Sequence, residues 1–174
     1  MKKKYYSSPI VTLFEEELKN SDKRSKKVIT LDAPDWVNII PITSFNEVVF
    51  VEQFRYGIEN TTFEIPGGMV DSGESNQIAA ERELVEETGY QLENVIELGS
   101  LSPNPALFKN KVTSYVGYNA KKNKDISPND KNIKVHLIPL KDIDQLIYEG
   151  QINHALVVAA FFLFKSKEKN AHNA

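Results

Sequence analysis

Alternating apolar and polar residues predict β-strands over much of this chain. Near the start they predict a hairpin with arms at 10–18 and 25–31, joined by a turn at 20–22. The second arm alternates only loosely, which indicates an exposed or edge sheet. A Pro-containing break at 33–35 ends this region, and the chain beyond it is more hydrophobic. Further strands are predicted near 36–43, 47–54, 61–65, 95–101, 111–119 and 133–138.

A helix is predicted at 75–88. Ser75 is suited to cap its N-terminus, and Gly89 follows at the position where a left-handed conformation costs glycine nothing. The residues of this helix that are predicted to face the core are Ile78, Leu84 and Val85.

Two more helices are predicted near 140–148 and 153–166. The second contains the longest apolar run, ten residues at 155–164, which is too short to span a bilayer. The polar segment 119–132 predicts a mobile loop. Strands mixed with a few helices indicate an α/β or α+β sandwich.

Length and composition narrow the class of protein. At 174 residues the chain predicts one domain with a small appendage, drawn here as 1–34 and 35–174. Lys plus Arg number 21 against 24 Asp plus Glu, so no excess of positive charge favours nucleic acid as a partner. There is no cysteine and no leader-like apolar core after the basic start, so we expect a cytoplasmic protein without a membrane partner.

Three glutamates on the predicted helix 75–88 carry the candidate chemistry. Glu83, Glu86 and Glu87 stand at i, i+3 and i+4, so they fall within an arc of about 100°. Arg82 is spaced to pair with Glu86, whereas Glu83 and Glu87 have no basic residue one turn away. A solvated acidic face is one interpretation. The other is a Mg²⁺ site, because a hard divalent cation prefers oxygen ligands and would reverse the repulsion.

The segment before the helix favours the metal. Pro66, Gly67 and Gly68 predict a loop in which the backbone approaches a ligand closely and a glycine carbonyl serves as a ligand. The spacing from Gly68 to Gly73 superficially resembles a Walker A loop. However, Glu74 follows where that motif needs lysine. Carboxylates that are offered to phosphate in place of lysine must act through a metal.

Residues 68–90 resemble the Nudix box. This motif is Gly, five residues, Glu, seven residues, then Arg-Glu-aliphatic-x-Glu-Glu-x-Gly-aliphatic. The one departure is Tyr90 in the final aliphatic position. The resemblance implies a Nudix-type α/β/α sandwich with a mixed sheet, and Mg²⁺ as cofactor with Mn²⁺ as the alternative. The residues that match the box are Gly68, Glu74, Arg82, Glu83, Leu84, Glu86, Glu87 and Gly89.

The same resemblance implies roles for these residues. Arg82 matches the arginine that orients a box glutamate, and Glu74 matches a weaker metal or structural partner. The general base stays open between Glu86 and Asp130, since the polar segment 119–132 has no glutamate. The implied metal ligands are Gly67, through its carbonyl, Glu83, Glu87 and Glu86.

Features outside the box resemble the ADP-ribose and nucleoside-diphosphate-sugar pyrophosphatases. The N-terminal hairpin is similar to a dimerising sheet in that group, which implies a homodimer. Gln53 and Arg55 lie in a Q-x-R segment whose arginine meets substrate, and Pro105 stands sixteen positions after Gly89. The chain departs from the group at SPNPALFKN, where Ser-Pro-Gly followed by glutamate is usual.

Other residues keep two interpretations. Trp36, the only tryptophan, stacks on a nucleobase or packs in the core. The three histidines are too scattered to suggest a catalytic triad. The sequence therefore predicts Mg²⁺-dependent hydrolysis of the diphosphate bond of ADP-ribose or a related nucleoside diphosphate sugar. The alternatives are hydrolysis of GDP-mannose or another nucleotide derivative, and a sensor that binds ADP-ribose without cleaving it.

Overall fold

The N-terminal residues form a small antiparallel sheet. The computed structural model describes residues 2–123, 125–126 and 132–172. Its first three strands are β1 (Lys2–Ser7), β2 (Thr12–Lys19) and β3 (Ser25–Asp32), in the order β1-β2-β3. The predicted hairpin corresponds to β2 and β3. The prediction missed β1, since a run of lysines and tyrosines has no apolar alternation and β1 pairs with β2 through the backbone.

A seven-stranded mixed sheet forms the centre of the molecule. Its strands are β4 (Trp36–Ile42), β5 (Glu47–Arg55), β6 (Asn60–Glu64), β7 (Gly67–Met69), β9 (Val95–Leu101), β10 (Val112–Tyr118) and β12 (Lys134–Pro139). Their order is β12-β5-β4-β10-β9, with β6 paired to β5 and β7 paired to β4. Among the described strand pairs of this sheet, only β4 and β10 are parallel. The short strands β8 (Tyr90–Gln91) and β11 (Lys121–Lys122) form a separate two-stranded sheet. Strand β11 lies within the segment 119–132 that was predicted as a loop, whereas β8 lies outside it.

Helices cover both faces of this sheet. They are α1 (Asn76–Thr88), α2 (Ile143–Tyr148), which follows a 3-10 turn at Leu140–Asp142, and α3 (Ala155–His172). Successive residues of β4 alternate between the two sides, so Ile39 packs with α1 and Ile40 packs with α3. This arrangement confirms the predicted α/β/α sandwich with a mixed sheet. In the described part of the chain, no helix is both long and apolar enough to cross a membrane.

The capping of α1 agrees with the sequence, but its buried face does not. Ser75 Oγ accepts a hydrogen bond from the Ile78 N–H at 3.3 Å, and Gly89 adopts φ 72°. Ile78 was predicted to face the core, yet it is 58% exposed, so that prediction is wrong. Small side chains instead bring the helix close to the sheet. The buried residues of α1 are Ala79, Ala80, Leu84 and Thr88.

The glycine pair before α1 is a strand and not the predicted loop. In β7, Gly67 pairs with Asn38 and Gly68 pairs with Val37. A Cβ atom on Gly67 would stand 2.3 Å from the Val37 carbonyl oxygen, and one on Gly68 would stand 2.4 Å from Glu83 Oε1. Gly67 must therefore be glycine because backbone atoms occupy the space of a side chain, whereas a side chain at Gly68 would displace the Glu83 carboxylate.

Candidate active site

Strand β7 and helix α1 bring two of the predicted ligands together. The Gly67 N–H donates a hydrogen bond of 3.2 Å to Glu87 Oε2. Glu83 lies against Gly68, with its carboxylate where a side chain at that position would begin. Both carboxylates are half-buried between the helix and the strand. The structure thus gathers Glu83, Glu87 and the glycine backbone at one edge of the sheet.

The two carboxylates carry an electrostatic cost in this position. Burial raises the pKa of Glu87 to about 8; the Gly67 N–H opposes this rise and the negative charge of Glu83 adds to it. Burial also raises the pKa of Glu83, although a hydrogen bond from Arg82 partly offsets it. No basic residue stands one turn away from Glu83, as the sequence indicated, but the adjacent Arg82 donates from Nη1 to Glu83 Oε1 at 2.8 Å.

Arg82 connects the helix to the residues before it. Its Nε and Nη2 atoms each donate to the carboxylate of Glu74 at 3.0 Å, and Nη2 also donates to the Met69 carbonyl at 2.9 Å. The predicted pair with Glu86 exists, but at 3.3 Å it is the longest of these contacts. The hydrogen bonds from Arg82 hold the pKa of Glu74 below its usual value. Arg82 therefore fixes the segment 69–74 against α1.

The donor set at this edge fits a hard divalent cation. Glu83, Glu87 and the adjoining glycine carbonyl offer oxygen atoms only, which are the ligands that Mg²⁺ and Mn²⁺ take. Burial raises the pKa of both carboxylates, and a cation bound beside them would favour their charged forms. Across the described ranges, no group of three or more acidic, histidine or cysteine side chains is already gathered as a complete ligand set. Glu86, the third predicted carboxylate ligand, has a side chain 40% exposed.

A pocket of about 460 Å³ opens beside β7. Its lining includes Gly67 and Gly68, so it adjoins the strand against which Glu83 and Glu87 lie. Most of its wall is apolar, which is usual for a small-molecule site with a few placed polar groups. The polar residues in the wall are Asn38, Arg55, Thr62, Glu64 and His154.

Arg55 stands in the pocket wall with its guanidinium already engaged. Its Nε and Nη2 atoms each donate to the Glu64 carboxylate at 2.6 Å, and the Thr62 hydroxyl donates to the same carboxylate at 2.6 Å. The hydrogen bonds to Glu64 raise the pKa of Arg55. The Arg55 side chain is nevertheless 43% exposed. Contact between Arg55 and a substrate phosphate stays a prediction.

The remaining predicted substrate residues are spread more widely. Trp36 lines the pocket while its ring packs at a tilt on Phe108, with 5.5 Å between centroids, and stacking of this ring on a nucleobase stays a prediction. Gln53 on β5 and the exposed Pro105 are not among the described residues that line the pocket. Asp130, the second candidate for the general base, lies outside the described residues.

The sequence predicted no role for Asn38 or His154, which are two of the polar residues in the pocket wall. Asn38 follows Trp36 by two positions on β4, and His154 immediately precedes α3. Neither belongs to a motif, and they are distant in sequence. Of the two, only Asn38 could have been noticed in the sequence, because it is a polar residue within an otherwise apolar strand.

The protein has a sandwich fold in which a glutamate-bearing helix packs on a glycine strand. This is the arrangement expected of a Nudix hydrolase, the class that the motif at residues 68–90 predicted. Residues 34–161 match the model of the NUDIX domain. The chain therefore belongs to the Nudix family and is a Nudix hydrolase. Members of this family generally use divalent metal ions.

Relatives match nearly the whole chain. A methanol dehydrogenase activator of Bacillus methanolicus is 30% identical over 169 residues, which cover 96% of this chain and 91% of the relative. An ADP-ribose pyrophosphatase of Bacillus subtilis is 24% identical with the same coverage. The crystal structure of an ADP compounds hydrolase superposes with a TM-score of 0.84 at 23% identity, covering 100% of this chain and 95% of that one.

Proposed function

We propose that this protein hydrolyses the diphosphate bond of ADP-ribose or a closely related nucleoside diphosphate sugar, with Mg²⁺ as cofactor and Mn²⁺ as a substitute. ADP-ribose would give AMP and ribose 5-phosphate. The observation that carries the proposal is the position of Glu83 and Glu87 against β7. The glycines of β7 also line a pocket that has Trp36 in its wall. The similarity to an ADP-ribose pyrophosphatase over 96% of the chain supports the choice of substrate.

The side chains divide the reaction among them. When bound at Glu83, Glu87 and the Gly67 carbonyl, Mg²⁺ supplies neutralisation of the diphosphate and acidification of a water molecule. Glu86 takes the proton from the attacking water, with Asp130 as the other candidate. The water oxygen bonds to one phosphorus, the bridging P–O bond breaks, and its electron pair leaves on the other phosphate.

Two arginines have separate tasks in this scheme. Arg82 orients the carboxylates of α1 through its contacts with Glu83 and Glu86. Arg55 stabilises charge on the transferred phosphoryl group through the part of its guanidinium that Glu64 does not engage. A phosphate that binds Arg55 must therefore share it with Glu64.

We expect ADP-ribose to have the highest kcat/KM in a Mg²⁺ assay across ADP-ribose, GDP-mannose, UDP-glucose, NADH, diadenosine polyphosphates and capped RNA. In ¹⁸O-labelled water the label should enter only one of the two products, because a single phosphorus is attacked. A non-adenine sugar nucleotide that is better by tenfold would contradict the substrate assignment. Tight binding of ADP-ribose without any turnover would favour the sensor.

A second candidate function comes from the relative in Bacillus methanolicus. That protein is a methanol dehydrogenase activator, and its 30% identity extends over almost the entire chain. Its coverage equals that of the ADP-ribose pyrophosphatase, so similarity alone does not choose between the two. Adding the protein to a purified methanol dehydrogenase with NAD⁺ separates them. A rise in dehydrogenase rate would support the activator role.

The N-terminal sheet is proposed as the dimerising unit of a homodimer, with residues 1–34 and 35–174 as the two parts of the chain. The sheet exposes large apolar side chains that a three-stranded sheet alone cannot cover. It is tied to the rest of the protein where the Leu31 N–H donates to the Leu107 carbonyl at 2.8 Å. The exposed apolar residues of the sheet and its turn are Tyr5, Tyr6, Ile10, Leu18 and Ile29.

We also propose a cytoplasmic location, because a chain without cysteine suits a reducing compartment.

Deletion of residues 1–33 should convert the dimer to a monomer and weaken substrate binding. The physical reason is that the deletion removes the exposed apolar sheet and its contact with the segment 104–109. Light scattering measures the mass. The control is Phe45→Ser, which removes an exposed aromatic side chain outside the sheet and should leave the dimer intact. A monomeric full-length protein, or a dimer that survives the deletion, would refute this proposal.

A further inference from the structure

Two polar atoms in the pocket wall lack a hydrogen-bond partner in the described part of the protein. They are Asn38 Oδ1 and His154 Nδ1, and both are closed off from solvent. Asn38 as a whole is only 6% exposed. A buried acceptor without a partner is uncommon in native proteins and costs stability, so each such atom calls for an explanation. Both residues line the same pocket.

The free atom of Asn38 can only accept hydrogen bonds. Its Nδ2 atom donates to the Leu156 carbonyl at 3.3 Å, which fixes the orientation of the amide. Oδ1 therefore faces away from this bond. The same contact joins β4 to the first turn of α3, and His154 stands immediately before that turn.

His154 offers a second acceptor nearby. Its Nε2 atom lies 3.8 Å from Glu64 Oε2, so a proton on Nε2 would face that carboxylate. Nδ1 is then left with a lone pair. The backbone of His154 is held in place, because its carbonyl accepts from the Val157 N–H at 3.0 Å and from the Val158 N–H at 3.1 Å.

We propose that Asn38 and His154 bind hydrogen-bond donors of the substrate and so determine its specificity. This inference rests on the proposed function. The substrate offers suitable donors in two places, the exocyclic amino group of the adenine and the hydroxyl groups of a ribose. Because the surrounding wall is largely apolar, a ligand without these donors would leave both acceptors buried and unpaired.

Asn110 provides a matched comparison within the same chain. It is also a buried asparagine whose Oδ1 has no partner, and its Nδ2 donates to the Pro34 carbonyl at 2.9 Å. Asn110 is not one of the described residues that line the pocket. Replacing Asn38 and Asn110 by leucine therefore removes the same groups, one inside the pocket wall and one outside it.

The test measures ligand binding through the fluorescence of Trp36, the only tryptophan, which lines the pocket. AMP, IMP, 2′-deoxy-AMP and ribose 5-phosphate are titrated without metal into the wild type and the variants Asn38→Leu, His154→Phe and Asn110→Leu. We expect Asn38→Leu and His154→Phe to weaken binding of AMP or ribose 5-phosphate by about 10-fold. They should also reduce the preference of the wild type over the analogue that lacks the donor, whereas Asn110→Leu should change neither quantity.

The ligands separate the two sources of the donor. Loss of the preference for AMP over IMP identifies the amino group, loss of the preference over 2′-deoxy-AMP identifies the nucleoside ribose, and weaker ribose 5-phosphate binding alone identifies the other sugar. Unchanged affinities and preferences in His154→Phe and in a folded Asn38→Leu would overturn the inference. If Asn38→Leu does not fold, His154→Phe decides alone. Failure of the wild type to hydrolyse ADP-ribose refutes the proposed function by a separate measurement.

Discussion

Glu83→Gln and Glu87→Gln are each expected to lower kcat by at least ~100-fold at saturating Mg²⁺, which corresponds to about 2.7 kcal/mol of transition-state stabilisation. Each change removes a charged oxygen ligand from the edge of the sheet where the two carboxylates meet the glycine backbone. Steady-state kinetics with a Mg²⁺ titration measures the effect. Near-normal turnover in either variant would contradict the assignment of metal ligands.

The same variants should keep or slightly raise the thermal midpoint of the metal-free protein. The pKa of Glu87 is raised to about 8, so near pH 7 this side chain is mostly protonated without metal and glutamine resembles it. Glu81→Gln is the matched control, because Glu81 lies on the same helix and its carboxylate accepts a hydrogen bond from the exposed side chain of Gln77. It should leave both kcat and the midpoint unchanged.

Arg82→Ala should lower the free energy of unfolding by about 2–3 kcal/mol and also lower kcat. The change leaves the carboxylates of Glu74 and Glu83 half-buried without the guanidinium that binds both. The Arg82 side chain is 26% exposed, so solvent compensates part of the loss and the expected cost lies below that of a fully buried pair. Denaturant unfolding and steady-state kinetics measure the two effects.

Two further arginine variants test whether geometry or charge is responsible. Arg82→Lys keeps the charge but cannot contact both oxygens of Glu74 and the Met69 carbonyl together, so it should restore only part of the stability. Arg24→Ala removes an exposed ion pair with Asp22 and should cost less than about 1 kcal/mol. Equal costs for Arg24→Ala and Arg82→Ala would contradict the role of Arg82.

The sequence predicted elements that depend on local pattern. Apolar alternation located β4 and β5, and the cap residues Ser75 and Gly89 located both ends of α1. It failed where pairing does not depend on side chains. Strand β1 is polar, and β7 consists largely of glycine, so neither shows apolar alternation although both pair through the backbone.

The relative positions of the site residues were predictable where those residues share one helix. The spacing of Glu83 and Glu87 placed them on one side of α1, but it could not show that β7 would bury them and raise the pKa of Glu87. Contacts between distant segments were inaccessible for the same reason. The bidentate pair of Arg55 and Glu64, and the neighbouring positions of Asn38 and His154 in one pocket, exist only after the chain has folded.

The absence of side chains in the glycine pair of β7 also affects how such a protein diversifies. A side chain at Gly68 would begin where the Glu83 carboxylate lies, so a substitution there displaces Glu83 and acts as a mutation of the glutamate itself. Other parts of the pocket wall come from Gly57 and Ile58 in a turn and from His154 immediately before a helix, where sequence change is better tolerated. Substitutions that change the ligand are therefore expected in the turn and before the helix, and not in the glycine pair of β7. In this way the hydrolytic chemistry persists while the substrate changes.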